Sequence, residues 1–262
     1  MDDLAGDLAV DAAGCALAWS DEFDGPAGSP PDPGTWRPET GGHGWGNAEL
    51  QYYTGGAENA RLDGAGHLVV TARRLDPEAR RRYGGCGYSS ARLITKDSVT
   101  LRYGVVRARM RLPGGRGIWP AFWMLGRDIG EVGWPRCGEI DVMENFGRDP
   151  ALVQGAVHGP GYSGAAGITA TRRAGSSLSD GFHVYSVVWE PGRIRWYLDD
   201  QRYGEVTADD LHGRPWVFDH DFFLLLNVAV GGTAAPVPDR SVTFPRQMLI
   251  DYVRVYSWPA AG

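Results

Sequence analysis

Three carboxylates lie within six residues of one stretch, Gly138–Asn145, and are the side chains of this chain best suited to chemistry. Successive side chains of a strand point to opposite faces, so Glu139 and Asp141 share one face. Strict alternation would send Glu144 to the apolar face, where an isolated carboxylate is very costly. One extra residue, a β-bulge near 142–143, returns it to the acidic face. The stretch therefore predicts a bulged strand that presents three acids to one side.

Crowding gives these acids different roles. Like charges disfavour ionisation and raise the pKa of neighbouring carboxyls. One carboxyl then stays ionised while another holds its proton at neutral pH. Cleavage of a glycosidic bond requires that combination of groups. The spacing alone leaves two alternatives open, a solvated acidic edge and a calcium site built from hard carboxylate oxygens.

Length, charge and hydropathy exclude several classes. The 262 residues suit one all-β sandwich, and no break in composition divides residues 1–262, so we predict a single domain. A net charge of -6 disfavours nucleic-acid binding. No stretch approaches 18 apolar residues, so no membrane-spanning segment is expected. The beginning of the chain lacks the regions of a signal peptide, and we expect a secreted protein whose signal peptide is absent from this sequence.

Aromatic, cysteine and arginine content adds three expectations. Ten tryptophans exceed what a core needs and indicate a surface that stacks against flat groups such as sugar rings, although most of them will pack in the core. The three cysteines, Cys15, Cys86 and Cys137, have no metal-type spacing and allow at most one disulfide within the chain. The run Arg80–Arg82 is interpreted as a solvated turn.

Alternating hydrophobicity predicts strands and no long helix. The predicted strands are Trp19–Phe23, His67–Ala72, Leu101–Leu112, Trp119–Leu125, Glu139–Glu144, Val184–Trp189, Ile194–Leu198, Phe222–Val230 and Leu249–Tyr256. In Leu101–Leu112, apolar residues alternate with Arg107, Arg109 and Arg111, which indicates a half-buried antiparallel strand. No run of a dozen residues has a helical period. The fold class predicted is all-β, a sandwich of two antiparallel sheets.

A series of motifs, in order along the chain, resembles glycoside hydrolase family 16 in its laminarinase-like branch. They lie at 19–23, 46–51, 118–124, 134–135, 139–144, 183–185, 195–197, 226–232 and 251–256. The resemblance implies a β-jelly-roll with a substrate cleft across its concave sheet. It also implies retention of anomeric configuration through a glycosyl-enzyme intermediate.

The same resemblance assigns catalytic roles and a substrate. Glu139 corresponds to the nucleophile, Glu144 to the general acid/base, and Asp141 lies between them. Met143 is the extra residue that separates laminarinases and several algal-polysaccharide enzymes from lichenases. We expect a monomeric, retaining endo-β-1,3-glucanase that acts on laminarin-type glucans and needs no cofactor for catalysis. The alternatives are a mixed-linkage glucanase, an agarase-type galactanase or, against the evidence of intact acids, a non-catalytic glucan-binding protein.

The resemblance also supplies eight candidate cleft residues. They are Asn47, Glu49, Arg92, Trp119, Trp123, Trp134, His158 and Asn227. Trp123 and Trp134 correspond to sugar-stacking tryptophans. Arg92 either donates to sugar hydroxyls or pairs with a carboxylate. His158 is expected to hydrogen-bond Glu144 and help hold its protonation state.

Four of these eight have a structural alternative. Trp119 shares the strand face of Trp123, with core packing as its alternative. Asn47 and Glu49 resemble polar residues of the cleft edge, and their alternative is a satisfied turn. The alternative for Asn227 is a buried amide with backbone partners.

A second site is expected away from the acids. Asp251 shares a strand face with Val253 and Val255, and a carboxylate on an apolar face needs a partner or a cation. The resemblance implies a structural calcium held by Asp251, by Glu22 or its backbone, and by the backbone oxygen of Gly66. The alternative is a salt bridge from Asp251 to an arginine.

Overall fold

The computed structural model describes residues 14–258, which form two packed β-sheets with a few short helices. The strands are β1 (Ala16–Asp21), β2 (Arg37–Glu39), β3 (Gln51–Tyr53), β4 (Ala60–Leu62), β5 (Leu68–Arg74), β6 (Tyr88–Ser90), β7 (Arg92–Ile94), β8 (Thr100–Leu101), β9 (Gly104–Arg111), β10 (Ile118–Gly126), β11 (Glu139–Glu144), β12 (Leu152–His158), β13 (Ile168–Arg173), β14 (His183–Glu190), β15 (Arg193–Leu198), β16 (Gln201–Thr207), β17 (Phe222–Val230) and β18 (Arg246–Ser257). The α-helices are α1 (Pro77–Arg82) and α2 (Ile129–Val132), and 3-10 turns occupy Gly164–Ala166 and Asp209–Leu211.

The strands are divided between a larger and a smaller sheet. The larger sheet runs β16-β15-β14-β9-β18-β5-β6-β3, with β1 beside β18 and β4 beside β5. The smaller sheet runs β13-β12-β11-β10-β17-β7-β2, with β8 beside β17. All described pairs are antiparallel except the parallel pair β3 and β6. The predicted all-β sandwich is confirmed, and the predicted strands at 184–189 and 194–198 pair with each other as the hairpin of β14 and β15.

The core lies between the sheets and follows the predicted alternation. Val106, Ala108 and Met110 of β9 and Phe122 of β10 are completely buried. Arg107 departs from the prediction, because it is 1% exposed rather than facing solvent. Its guanidinium donates to Asp200 across 2.7 Å, so the acid on the turn between β15 and β16 compensates the buried charge.

The predicted turn at Arg80–Arg82 is wrong, since these residues end helix α1. Asp76 caps the helix by accepting from the backbone N–H groups of Glu78 and Ala79 at 2.9 and 2.8 Å. Pro77 lies in the first turn, where its missing N–H costs nothing, and the arginines complement the helix dipole at the other end. The helix stays on the surface, so the expectation of solvation holds.

Two further expectations concern cysteines and membranes. Cys15, Cys86 and Cys137 are all free thiols. Among the helices within residues 14–258, none is long and apolar enough to cross a membrane.

The predicted bulge in β11 is present. Against β10, Met143 pairs with Phe122 and Asp141 pairs with Trp123, which leaves Val142 without a partner. Relative to β10, the extra residue is therefore Val142 rather than Met143. Against β12, the register advances three residues from Asp141 to Glu144 while β12 advances two. Val142 and Met143 both enter the core, completely buried, and Glu144 returns to the face of Asp141.

Trp196 of β15 fixes the bulge from inside the core. Its indole N–H donates to the carbonyl oxygen of Asp141 at 2.8 Å, and the side chain is 1% exposed. The indole fits because residue 155 is glycine: a Cβ there would lie 2.2 Å from Trp196 Cδ1. The larger sheet thus holds the backbone of the smaller sheet at the point where its strand is irregular.

We predict that Trp196→Phe impairs activity more than its loss of stability explains. The change removes the bond to Asp141 and leaves a small cavity, and should lower the free energy of unfolding by about 2–4 kcal/mol. Trp189→Phe is the matched control, because Trp189 is equally buried and donates to the carbonyl of Phe218 at 3.0 Å, away from the bulge. Urea unfolding and turnover are measured for both variants. Equal turnover in the two folded variants would contradict a role for Trp196 in placing the acids.

Candidate active site

The acidic strand, β11, is an inner strand of the smaller sheet, between β12 and β10. We call the face that points away from the core the cleft face. At one level across it, the register aligns Glu144, Ala121, Asn227, Arg92 and Glu39 on β11, β10, β17, β7 and β2. Four of these five side chains are polar, so the sheet lines up hydrogen-bonding groups over the width of five strands.

An indole N–H holds each glutamate of the acidic strand. Trp134 donates to Glu139 Oε2 at 2.9 Å. Trp119 donates to Glu144 Oε1 at 2.9 Å, and Gln154 donates to the other oxygen at 3.1 Å. Trp119 is therefore part of the site rather than only of the core. Gln154 was not predicted, and only its register opposite Glu144 on β12 brings it there.

His158 lies beside Glu139 and Asp141 rather than beside Glu144. It pairs with Glu139 across β11 and β12, and its Nε2 lies 3.2 Å from Asp141 Oδ2 and 3.7 Å from Glu139 Oε1. The expectation that His158 hydrogen-bonds Glu144 is wrong. The register explains the difference. His158 pairs with Glu139 at the beginning of β11, whereas Glu144, at its end, pairs with Gln154.

Burial raises the pKa of all three acids. For Glu139 the main cause is desolvation, followed by the negative charge of Asp141. Desolvation alone raises the pKa of Asp141. Desolvation and then the charge of Asp141 raise the pKa of Glu144 to about 8, against the opposing effect of the Trp119 and Gln154 hydrogen bonds. The site can therefore hold protons on buried carboxyls at neutral pH.

A hydrogen-bond relay runs from Trp123 to Glu49. Trp123 donates its indole N–H to Asn227 Oδ1 at 2.7 Å, and Asn227 donates through Nδ2 to the Tyr53 hydroxyl at 3.1 Å. Tyr53 in turn donates to Glu49 Oε2 at 3.1 Å, and Asn47 donates to Glu49 Oε1 at 3.2 Å. Asn227 is thus a buried amide with side-chain partners, and its position orients Trp123.

Tyr53 was not predicted as a site residue, although it is the centre of this relay. It is completely buried, and burial raises its pKa well above the usual range, so the hydroxyl stays protonated and can donate to Glu49. Nothing in the local sequence separates Tyr53 from its neighbour Tyr52. The distinction comes from strand alternation, which turns one ring inward and the other outward.

Arg92 is held between two tryptophans. Its Nε donates to Glu39 Oε2 at 2.5 Å, the carboxylate partner that the sequence left open. The guanidinium lies 4.8 Å from the ring centre of Trp45 and 4.7 Å from that of Trp123. This cation–π arrangement places a fixed charge over one face of the Trp123 ring. Neither Trp45 nor Glu39 was predicted in the site.

The residues expected to hold calcium are engaged by arginines. Asp251 Oδ2 accepts from Arg109 Nη1 at 2.5 Å. Glu22 accepts from Arg254 Nε and Nη2 at 3.0 and 2.9 Å. The salt bridge that the sequence left open for Asp251 is thus present. Near Gly66, a Cβ on that residue would lie 3.7 Å from a carboxylate oxygen of Asp24.

Comparison with known proteins agrees with this geometry. Residues 47–252 match the family described as Glycosyl hydrolases family 16. A Beta-glucanase of Rhodothermus marinus is 43% identical over 97% of this chain and 90% of its own length. The endo-beta-1,3-glucanase structure of Pyrococcus furiosus has a TM-score of 0.88 at 44% identity, covering 96% of this chain and 98% of that one. The laminarinase catalytic domain of Thermotoga maritima has a TM-score of 0.86 at 47% identity, covering 93% and 98%.

The chain belongs to glycosyl hydrolases family 16, and it is a glycoside hydrolase with the jelly-roll fold of those structures.

We predict that Tyr53→Phe weakens both the fold and the hydrolysis of polysaccharide. Removing the hydroxyl leaves the side-chain amide N–H of the buried Asn227 without its acceptor and takes one donor from Glu49, which costs about 1–3 kcal/mol. Trp123 loses its fixed orientation, so kcat/KM should fall about tenfold, mainly through KM. The matched control is Tyr52→Phe, which removes a hydroxyl outside the relay. Thermal unfolding and initial rates are measured for both, and identical kinetics in the two variants would contradict the relay.

Proposed function

We propose that this protein is a retaining endo-β-1,3-glucanase that hydrolyses laminarin-type glucans by double displacement. One observation carries the proposal: two glutamates share the cleft face of the bulged strand β11, each held by a different indole N–H. The names of the similar proteins, a Beta-glucanase, an endo-beta-1,3-glucanase and a laminarinase, support the substrate class.

In this proposal Glu144 is the general acid. With its pKa raised to about 8, its carboxyl keeps a proton at neutral pH and donates it to the glycosidic oxygen. After the leaving group departs, the same carboxylate accepts a proton from the attacking water. Trp119 and Gln154 hold both oxygens and fix the direction of transfer.

Glu139 is the proposed nucleophile. The negative charge of Asp141 raises the pKa of Glu139, and burial raises the pKa of both, so the pair favours a single negative charge. The side chain of Asp141 is 5% exposed and that of Glu139 is 17% exposed. The negative charge therefore belongs on Glu139, the better solvated carboxylate, which also accepts a hydrogen bond from Trp134. Glu139 attacks the anomeric carbon and forms a glycosyl ester, which water then hydrolyses with net retention.

Polysaccharide binding is proposed along the cleft face. Trp123 and Trp134 offer apolar ring surface to sugars, and Trp134 is 48% exposed although it bonds a catalytic glutamate. We propose that the protein acts outside the cell, where such polymers occur, and as a monomer. Initial rates on laminarin, lichenan, agarose and xyloglucan test the substrate. A preference for agarose or lichenan would replace β-1,3-glucan with the galactan or mixed-linkage alternative.

We predict that Glu144→Gln lowers kcat about 10²–10⁴-fold and that Glu139→Gln abolishes turnover, with the fold unchanged. The matched control is Glu131→Gln, an exposed glutamate of α2, which should retain full activity. Azide should restore turnover of Glu139→Ala and yield an α-glycosyl azide. With an activated substrate, Glu144→Ala and azide should yield the β product. The opposite stereochemistry would exchange the two roles.

We predict that kcat/KM falls as the pH rises through about 8, because the general acid must be protonated in the free enzyme. The Gln154 hydrogen bond lowers the pKa of Glu144, so Gln154→Leu should move this alkaline limb to higher pH. Gln247→Leu, on the larger sheet, is the control and should leave the limb in place. If the alkaline limb does not move in Gln154→Leu, it reports the titration of a group other than Glu144.

We also propose that calcium binds at Asp251 with the backbone oxygens of Glu22 and Gly66, and acts on stability alone. The ion would have to replace Arg109 at Asp251. We predict that calcium raises the melting temperature of the wild type by mass action and has no effect on Asp251→Asn. If calcium leaves the wild-type melting temperature unchanged, Arg109 is the cation that serves this carboxylate.

A further inference from the structure

The beginning of the acidic strand offers three metal-type donors to one point. Glu139, Asp141 and His158 each direct a ligand atom to a region where these atoms lie within 4.8 Å of one another. Two of the distances are shorter still: His158 Nε2 is 3.2 Å from Asp141 Oδ2 and 3.7 Å from Glu139 Oε1. Neighbouring ligands of a tetrahedral ion bound at about 2.0 Å are separated by about 3.3 Å. The donors are thus spaced close to what such an ion requires.

The donor atoms are not committed to other partners. Within residues 14–258, Asp141 Oδ2 is buried without a hydrogen bond, although His158 Nε2 lies 3.2 Å away. Glu139 uses Oε2 to accept from Trp134, which leaves Oε1 directed towards His158. An unpaired oxygen on a residue only 3% exposed is costly, and a cation would relieve that cost.

Packing also fixes the position of the His158 imidazole beside the two carboxylates. The imidazole packs against Gly167, where a Cβ would lie 2.2 Å from His158 Cε1. The side chain of His158 is 12% exposed and that of Glu139 is 17% exposed, so the donors open towards the cleft. Three protein ligands and an open position match the arrangement in which zinc keeps one site for water.

We propose that Glu139, Asp141 and His158 bind a divalent transition-metal ion, Zn²⁺ in the first instance, and that this ion blocks hydrolysis by competing with the glucan. One imidazole with two carboxylates selects transition metals over calcium and magnesium, which prefer oxygen ligands alone. The block follows because the ion occupies the carboxylate that must attack the sugar. That consequence rests on the proposed function, whereas the binding does not.

The binding is tested by calorimetric titration of the wild type with zinc chloride, which reports on the ion without any turnover. We expect one tight site per chain. His158→Asn should weaken it at least about tenfold, and Asp141→Asn serves as a second variant if the first does not fold. The matched control is His67→Asn, since His67 also lies beside one carboxylate, 2.7 Å from Asp63, but has no third donor in the group. The control should bind zinc like the wild type.

Kinetics test the blocking step separately. With laminarin as substrate, zinc should raise KM in proportion to its concentration and leave kcat unchanged, and a chelator should reverse the effect. Zinc affinity that is unchanged in His158→Asn and Asp141→Asn, or lost in His67→Asn, would overturn the site. Tight binding with no competition would overturn the block while leaving the site, and a wild type inactive on every glucan would contradict the proposed function instead.

Discussion

The irregularity in β11 is the constraint on which the catalytic face depends. If β11 paired regularly, without the bulge between Asp141 and Glu144, strict alternation would send Glu144 into the core in place of Met143. The bulge persists because the larger sheet contributes Trp196, whose indole donates to the Asp141 carbonyl. A group from the opposite layer thus determines which side chains of the smaller sheet reach the cleft.

Burial of charge gives the acids their chemistry and limits how they can be arranged. Three carboxyls in one low-dielectric region cannot all ionise, so protons are retained at neutral pH. Among the described residues each carboxyl has a different set of neighbours: Trp134 at Glu139, Trp119 and Gln154 at Glu144, and His158, 3.2 Å away, at Asp141. These differences in donors separate the roles of chemically similar groups.

Pairing with arginine recurs at three carboxylates outside the acidic strand. Arg92 pairs with Glu39 between two tryptophans, Arg107 of β9 pairs with Asp200, and Arg109 pairs with Asp251. Arg92 therefore acts on the cleft chiefly through Trp123 and Trp45, by holding their rings. The predicted stacking surface at Trp123 is consequently part of a larger assembly whose members come from four different segments of the chain.

The sequence by itself predicted nine of the strands, the bulge and the family, because alternation and the cost of a buried carboxylate act within one short segment. It also predicted that Glu139, Asp141 and Glu144 share one face with tryptophans beside them, an arrangement that the structure shows. Only the tertiary structure decided the partners of these residues: His158 at Asp141, Gln154 at Glu144, and the relay through Tyr53. Those contacts depend on the register between strands far apart in the chain, and a local pattern carries no information about that register.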